Sequence, residues 1–254
     1  MSLEIVVVPC LSDNYAYLLR DGASGAVALV DAPESAPVRQ ELDRRGWRLS
    51  RILITHHHDD HVAGLGDLRD DGVEVVGAAA DAHRLPPLDR KVSDGESFDF
   101  AGAEVRVLDV SGHTMGHVAY HVPAARAAFT ADSLMAIGCG RVFEGTMERM
   151  WESLSKLAAL PDDTSICSGH EYALANARFA LTVEPDNAAL RIRAEGIEAG
   201  RARGEASVPS TLAEERATNP FLRASEPTVK ERLGMAGAPD AEVFAEIRRR
   251  KDAF

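Results

Sequence analysis

The chain has 254 residues, 45% hydrophobic and 27% charged, and no apolar run approaches the eighteen or so residues of a membrane span. Lys and Arg number 28 against 40 Asp and Glu, a net charge of −12, which excludes the basic chains that grip nucleic acid through its phosphates. The first residues, "MSLEIVVVPCLSDNY", lack a basic n-region and their apolar run stops at Pro9, so they read as neither a secretory signal nor a transit peptide. The three cysteines, Cys10, Cys139 and Cys167, are too widely spaced for a disulfide framework or a C-x-x-C metal site, and read as buried, reduced thiols of a cytoplasmic protein.

In chain order, "LEIVVVP" (3–9), "YAYLLR" (15–20) and "AVALVDA" (26–32) are short β-rich runs. "ESAPVRQELDRRG" (34–46) has helical spacing with Gly46 as its stop, and "RILIT" (51–55) has the continuous apolar character of a buried strand. A helix is predicted over "VAGLGDLRD" (62–70), a strand over "VEVVGA" (73–78), and a hairpin over residues 96–112 turning at Ala101-Gly102. "HVAYHVP" (117–123) and "RAAFTAD" (126–132) continue the strands. "MERMWESLSKLAAL" (147–160) is an amphipathic helix, and "TSICSGH" (164–170) a last strand running into a loop. Beyond residue 171 strand signals vanish. "EYALANARFALTVEP" and "NAALRIRAEGIEAGRARG" have helical periods, and two shorter helices follow with Ser210 and Asp240 as expected caps. The expected division is an αβ domain over residues 1–172 and an α-helical appendage over residues 173–254, too short to be very stable alone.

Four of the nine histidines fall in the six residues His56–His61 of "LITHHHDDH". At an extended strand end alternate side chains share a side, so His56 and His58 can face one metal ion while His57 points away. If the chain then turns into a helix near Val62, Asp60 and His61 project from the turn towards a second ion. Imidazole with carboxylate suits zinc, with iron or manganese as alternatives. One loop cannot close two metal sites. Three later stretches offer ligands directly after an apolar strand: His113 in "VSGHTMGH", Asp132 in "FTADSL" and His170 in "SICSGHEY". Delivering polar groups from strand ends to one edge is the common way to build an α/β site.

The succession T-H-x-H-x-D-H, G-H-T-x-G-H, an Asp after a strand, and G-H-E-Y resembles the metallo-β-lactamase superfamily. "GCGRVFEGT" (138–146), "GHEYALANARFALTVEP" (169–185), "TNPFLR" (218–223) and the terminal "RRRKDAF" narrow the resemblance to the glyoxalase II (hydroxyacylglutathione hydrolase) family over nearly the whole chain. The resemblance implies an αββα sandwich with a C-terminal α-helical domain. It implies two divalent metal ions, one on His56, His58 and His113, the other on Asp60, His61 and His170, with Asp132 shared. A hydroxide between the ions is then the nucleophile, with Asp60 helping to orient it. The implied reaction is hydrolysis of the thioester S-D-lactoylglutathione to glutathione and D-lactate, a step of methylglyoxal detoxification, by a monomer that needs no nucleic acid or membrane.

The same resemblance carries the glutathione contacts onto Arg141, Phe143, Tyr172, Arg248 and Lys251. Phe143 stands where some members have tyrosine, so a hydroxyl contact is lost and ring packing kept. Asp59 departs from the large aromatic usual at its position. His117 reads as a partner that orients a ligand or a turn rather than as a ligand, while His83 and His121 carry no motif. Asn14-Tyr15 and "NPFLR" are expected to fix structure near the site. Two other readings stay open: the same site acting on a different thioester or a lactone, and a mononuclear iron persulfide dioxygenase, which uses the same loop with fewer ligands.

Overall fold

The β-rich runs of the first third pair into one sheet. The computed structural model describes residues 2–254 and divides into two compact units, one reaching to Asp109 and resuming over Met115–Ala131, the other made of Val110–Thr114 and Asp132–Phe254. The first unit carries β1 (Leu3–Cys10), β2 (Asn14–Asp21), β3 (Val27–Val30), β4 (Leu49–Leu53), β5 (Glu74–Ala78) and β6 (Arg90–Val92), hydrogen-bonded in that order. β1 to β3 are antiparallel and β3 to β6 parallel. The change of direction needs a crossover, and α1 (Ser35–Arg45) supplies it. Gly46 ends α1 at φ 66°, its N–H bonding back to the Asp43 and Leu42 carbonyls. That left-handed cap strongly favours glycine. Val38 and Leu42 of α1 pack with Leu18, Leu29, Ile52 and Val75 of the sheet. Burying a leucine of this kind stabilises by about 1.5–3 kcal/mol.

The helix predicted over 62–70 is instead two short turns, α2 (Asp59–Val62) and α3 (Leu65–Leu68). They meet at Gly64, where a Cβ would lie 2.7 Å from the Ser35 nitrogen. Helical spacing could not disclose that contact. The predicted hairpin is β7 (Ser97–Phe100) and β8 (Ala103–Asp109), turning at Ala101 (φ 53°) and Gly102 (φ 85°). Both are left-handed, the condition for a two-residue turn matched to strand twist. β9 (Val118–Val122) and β10 (Ala127–Ala131) extend this second sheet antiparallel, in the order β10-β9-β8-β7. Inside the first unit the two sheets face each other. Tyr17 of β2 meets Phe129 of β10 edge-on at 5.7 Å, and the buried Tyr120 hydroxyl donates to the Ile54 carbonyl at 2.8 Å.

The second unit opens with the small antiparallel pair β11 (Leu134–Met135) and β12 (Gly138–Cys139). α4 (Met147–Ala158) follows, capped by the Thr146 side chain on the Arg149 N–H, and then β13 (Ser165–Ser168). The helical region is α5 (Ala173–Val183), α6 (Ala188–Ala202), a short β14 (Ser210–Thr211) pairing with β13, α7 (Leu212–Thr218), α8 (Pro227–Arg232) and α9 (Asp240–Ala253). The caps differ by one residue from expectation. Thr211 forms a reciprocal capping box with Glu214 on α7, while Ser210 sits in β14; Pro239 precedes α9, and Asp240 is its first residue, paired with Lys230 at 2.7 Å. The fully buried Glu215 accepts from the Ile137 N–H, Ser210 and Asn219, and pairs with Arg193. Asn219, in the "NPFLR" stretch, also donates to the Met135 and Gly138 carbonyls, so this segment fixes the β11–β12 turn as expected. α9 buries Val243, Phe244, Ile247 and Arg248, and Phe244 packs between Trp151 and Phe221.

Among the described residues no helix is long and apolar enough to cross a membrane. All three cysteines are free and buried, and burial pushes the Cys10 and Cys139 thiols up to about 11 and Cys167 higher still. Raised in this way they favour the protonated thiol at neutral pH, and they are free and buried as read from the sequence.

Candidate metal centre

In the first unit the His-rich loop leaves β4 in extended backbone, with His58 at φ −61°, ψ 142°. Alternation then sends the odd and even histidines apart, as expected. His57 turns to the buried Asp81, Nδ1 to Oδ2 at 3.0 Å, while His56 Nε2 lies 3.1 Å from His58 Nδ1. The helix begins at Asp59 rather than near Val62, so Asp60 and His61 sit inside its first turn. Asp60 accepts from the buried Asn14 amide at 3.0 Å, which gives Asn14 the fixing role read from the sequence. His61 Nε2 lies 3.7 Å from Asp60 Oδ2. His117 is buried and stacks on His56 at 4.6 Å and 13°, a ring-positioning contact.

The hydrogen bonds fix the ring tautomers. His61 Nδ1 faces Asp31 Oδ2 at 2.8 Å, and a carboxylate can only accept, so Nδ1 carries the proton and Nε2 keeps its lone pair. Thr55 donates its hydroxyl proton to the same carboxylate at 2.8 Å, leaving its oxygen to accept from His56 Nδ1 at 3.0 Å. His56 Nε2 therefore also keeps a lone pair. It points at His58 Nδ1, an arrangement that suits a shared cation.

The second unit repeats this logic. Val110–Thr114 carries His113 beyond the end of β8, at a turn where Gly112 has φ 147° and a Cβ would lie 2.6 Å from Met150 Sδ. His113 Nδ1 donates to the Arg141 carbonyl at 2.8 Å, so the lone pair is again on Nε2. Asp132 follows β10 after Ala131, a non-glycine residue at φ 41°. Backbone strain of this kind collects at sites where a side chain must be aimed. Asp132 Oδ2 lies 3.4 Å from His113 Nε2 and 3.3 Å from His170 Nε2, all three residues being buried. Gly140 lies against this group, since a Cβ there would fall 1.9 Å from the Asp132 carbonyl and 3.0 Å from His113 Nδ1. Gly140→Ala is therefore expected to cost at least about 2 kcal/mol and to displace Asp132 and His113 together. Urea unfolding with parallel metal analysis checks it; a wild-type midpoint would count against the contact.

The residues proposed from resemblance to meet glutathione all fall in this unit. The Tyr172 ring lies parallel to His170 at 4.7 Å and 5°, and the Phe143 ring, 61% exposed, is 5.2 Å from His113. Arg141 reaches over Phe143 at 5.9 Å and pairs with Asp252 at 3.3 Å. Arg248 is 5% exposed, held by Asp252 and by the Cys139 carbonyl. Lys251 donates to the Ala175 carbonyl at 3.1 Å and lies over the rings of Phe179 and Phe254. Burial and the neighbouring Arg248 charge lower its pKa. Asp59 is exposed in the first turn of α2, His83 is exposed, and His121 is buried within β9.

Sequence reasoning missed Asp31, Thr55, Asp81 and Asp252. Asp31 had a usable signal, because "LVDA" repeats the strand-then-acid pattern that found Asp132, and it too sits at positive φ (57°). The His and Asp groups present have the donor chemistry to bind a metal: His56, His58, Asp60 and His61 in the first unit, and His113, Asp132 and His170 in the second.

Residues 12–170 match the family model of the metallo-beta-lactamase superfamily, and residues 171–254 that of the hydroxyacylglutathione hydrolase C-terminus. Among curated proteins, the hydroxyacylglutathione hydrolases of Ruegeria pomeroyi and Roseobacter denitrificans are 65% and 62% identical, each over 100% of both chains. That of Methylococcus capsulatus is 55% identical over 99% of both. Among solved structures, the BLEG-1 B3 metallo-beta-lactamase superposes with TM-score 0.67 at 19% identity, over 86% of this chain and 99% of that one. ETHE1 from Myxococcus xanthus gives 0.63 at 23% identity, over 100% and 99%. At such identities the structures speak to the fold alone.

Proposed function

The chain belongs to the metallo-β-lactamase superfamily, with its αββα fold, and within it to the hydroxyacylglutathione hydrolases; on that footing we propose that it hydrolyses S-D-lactoylglutathione, and related S-2-hydroxyacylglutathiones, to glutathione and D-lactate in methylglyoxal detoxification. The observation that carries this reading lies in the second unit. There Arg141 touches both halves of the task, its carbonyl accepting from His113 and its side chain reaching Asp252 on the C-terminal helix beside Lys251.

The donor set fits a pair of divalent ions. His56, His61 and His113 each spend Nδ1 on a fixed acceptor and offer Nε2, as metal-binding imidazoles oriented from behind do. In this reading His56, His58 and His113 would hold one ion and Asp60, His61 and His170 the other, with Asp132 shared, zinc being the preferred metal and iron or manganese the alternatives. When bound, such ions act as Lewis acids, polarising the thioester carbonyl and lowering the pKa of a water towards about 7. Asp60, steadied by Asn14, orients the attacking water and can take its proton at Oδ2. The thiolate leaves without a strong general acid. Tyr172 offers its hydroxyl and Phe143 its ring face to the peptide, while the carboxylates of glutathione fall to the cationic group of Arg141, Arg248 and Lys251. Residues 1–172 then serve hydrolysis and part of the peptide contact, and residues 173–254 the rest of substrate binding, in a cytoplasmic monomer.

The deciding experiment follows thioester absorbance with lactoylglutathione, using the full-length protein of known metal content. Turnover lost to a chelator and restored by zinc is expected. Metal-replete protein that spares lactoylglutathione but cleaves acyl-CoA or lactones, or that consumes oxygen with one iron per chain, would overturn it.

A further inference from the structure

Of the cations near the end of α9, Arg141, Arg248 and Lys251 were assigned to the ligand, and they are not equivalent. Arg248 is committed on every nitrogen: Nε and Nη2 to Asp252 Oδ1 at 3.1 and 2.8 Å, and Nη1 to the Cys139 carbonyl at 3.0 Å. Its guanidinium also lies over the Phe221 ring at 5.1 Å. Lys251 is half-buried against two rings and a carbonyl. Arg141 has a side chain 55% exposed, and only its Nε is engaged, by the same Oδ1 of Asp252 at 3.3 Å.

A guanidinium has two edges for a carboxylate, one made by Nε with a terminal nitrogen and one by the two terminal nitrogens. Asp252 occupies the Nε side of Arg141. The end-on edge stays available, and the rotation of the planar group is set from behind. We propose that Asp252 is a specificity-determining positioning residue: tied to the buried Arg248, it holds Arg141 so that the terminal nitrogens of Arg141 face a carboxylate of the ligand. Within the cationic group Arg248 also anchors Asp252 from the inner side, and the more outward cations are Arg141 and Lys251. The alternative, Asp252 as a stand-in that the ligand carboxylate must displace, would have it on the terminal nitrogens.

The inference rests on the glutathione reading for the ligand, and two measurements keep the two apart. In steady-state kinetics of the metal-loaded enzyme, Asp252→Asn is expected to raise KM for lactoylglutathione about tenfold, the equivalent of one charge-assisted hydrogen bond, with kcat within about twofold. Asp252→Glu should recover part of the loss. The same thioester with its glycine carboxylate esterified should bind wild type and Asp252→Asn alike, a discrimination that a fold defect would not produce. Calorimetric titration with glutathione and with its glycine ester reads the contact without turnover. A wild type that never cleaves the thioester, yet prefers the free carboxylate and loses that preference in Asp252→Asn, sinks the hydrolase reading and supports Asp252. An active wild type whose preference survives the substitution overturns the role of Asp252. So does a KM that falls, the signature of a displaced stand-in.

Discussion

Asp132→Asn is expected to lower kcat by on the order of a thousandfold, roughly 4 kcal/mol of transition-state stabilisation, and to cut the metal held per chain. The change is isosteric and buried, so packing is kept and the effect is one of charge. In the folded chain Oδ2 sits 3.3–3.4 Å from the ring nitrogens of both His113 and His170, with an orienting bond to Arg141 already fixing His113. Neutral imidazoles supply no negative charge, so in the proposed ligand sets only Asp60 and Asp132 offset two divalent ions. An amide keeps one weak acceptor oxygen and puts an NH2 group, which cannot bind a cation, in place of the other. The binding signature follows from mass action: a ligand at a hundred times its dissociation constant adds about 2.7 kcal/mol to stability. Wild type should therefore melt higher with added zinc, and Asp132→Asn should lose most of that shift. Two ions per chain together with wild-type turnover in the variant would rule out a shared carboxylate.

The candidate ligands were legible as a pattern because the chemistry leaves few options. A strand end followed by His-x-His separates alternate rings by pleat geometry alone, and His57 on Asp81 with His56 on His58 follows that rule. His113, Asp132 and His170, proposed by the same strand-then-ligand grammar, lie together in the second unit. Helix ends with strong local chemistry were also readable, as the Gly46 stop shows. What stayed hidden depends on contacts far apart in sequence. Gly64 splits a helical pattern because residues 34 and 35 press on it, and Ser210 loses its expected cap role because its hydroxyl is spent on the buried Glu215 while Thr211 closes the capping box. Arg248 is the clearest case. Resemblance gave it to the substrate, and the burial that ties it to Asp252 and Cys139 came from the packing of α9, which no local pattern encodes. Asp81 and Asp252, charged groups that orient other groups, leave no spacing signal and emerged only in three dimensions, whereas Asp31 stood in a strand-then-acid pattern that went unused.

Asp31→Asn tests that hidden tier most sharply, with an expected loss of 10–100-fold in zinc affinity, the usual cost of removing an outer partner from a metal-binding histidine. Asp31 stands at φ 57° after β3, a conformation asparagine tolerates as well as aspartate, so the backbone is undisturbed. Its carboxylate accepts three bonds at 2.8 Å, from the Thr55 N–H and hydroxyl and from His61 Nδ1. An amide cannot accept all three. If its nitrogen faces the Thr55 N–H, two donors oppose each other in a buried site, at about 1–3 kcal/mol. If its nitrogen faces His61, the ring must move its proton to Nε2, and the lone pair meant for the metal is gone. In that second orientation the Thr55 hydroxyl, which orients His56, also loses its acceptor. Competition with a chromophoric chelator measures the affinity, and His57→Gln, on the far side of the alternation, should bind zinc as wild type does. Equal affinity in Asp31→Asn and wild type would mean that His61 is held by its packing alone.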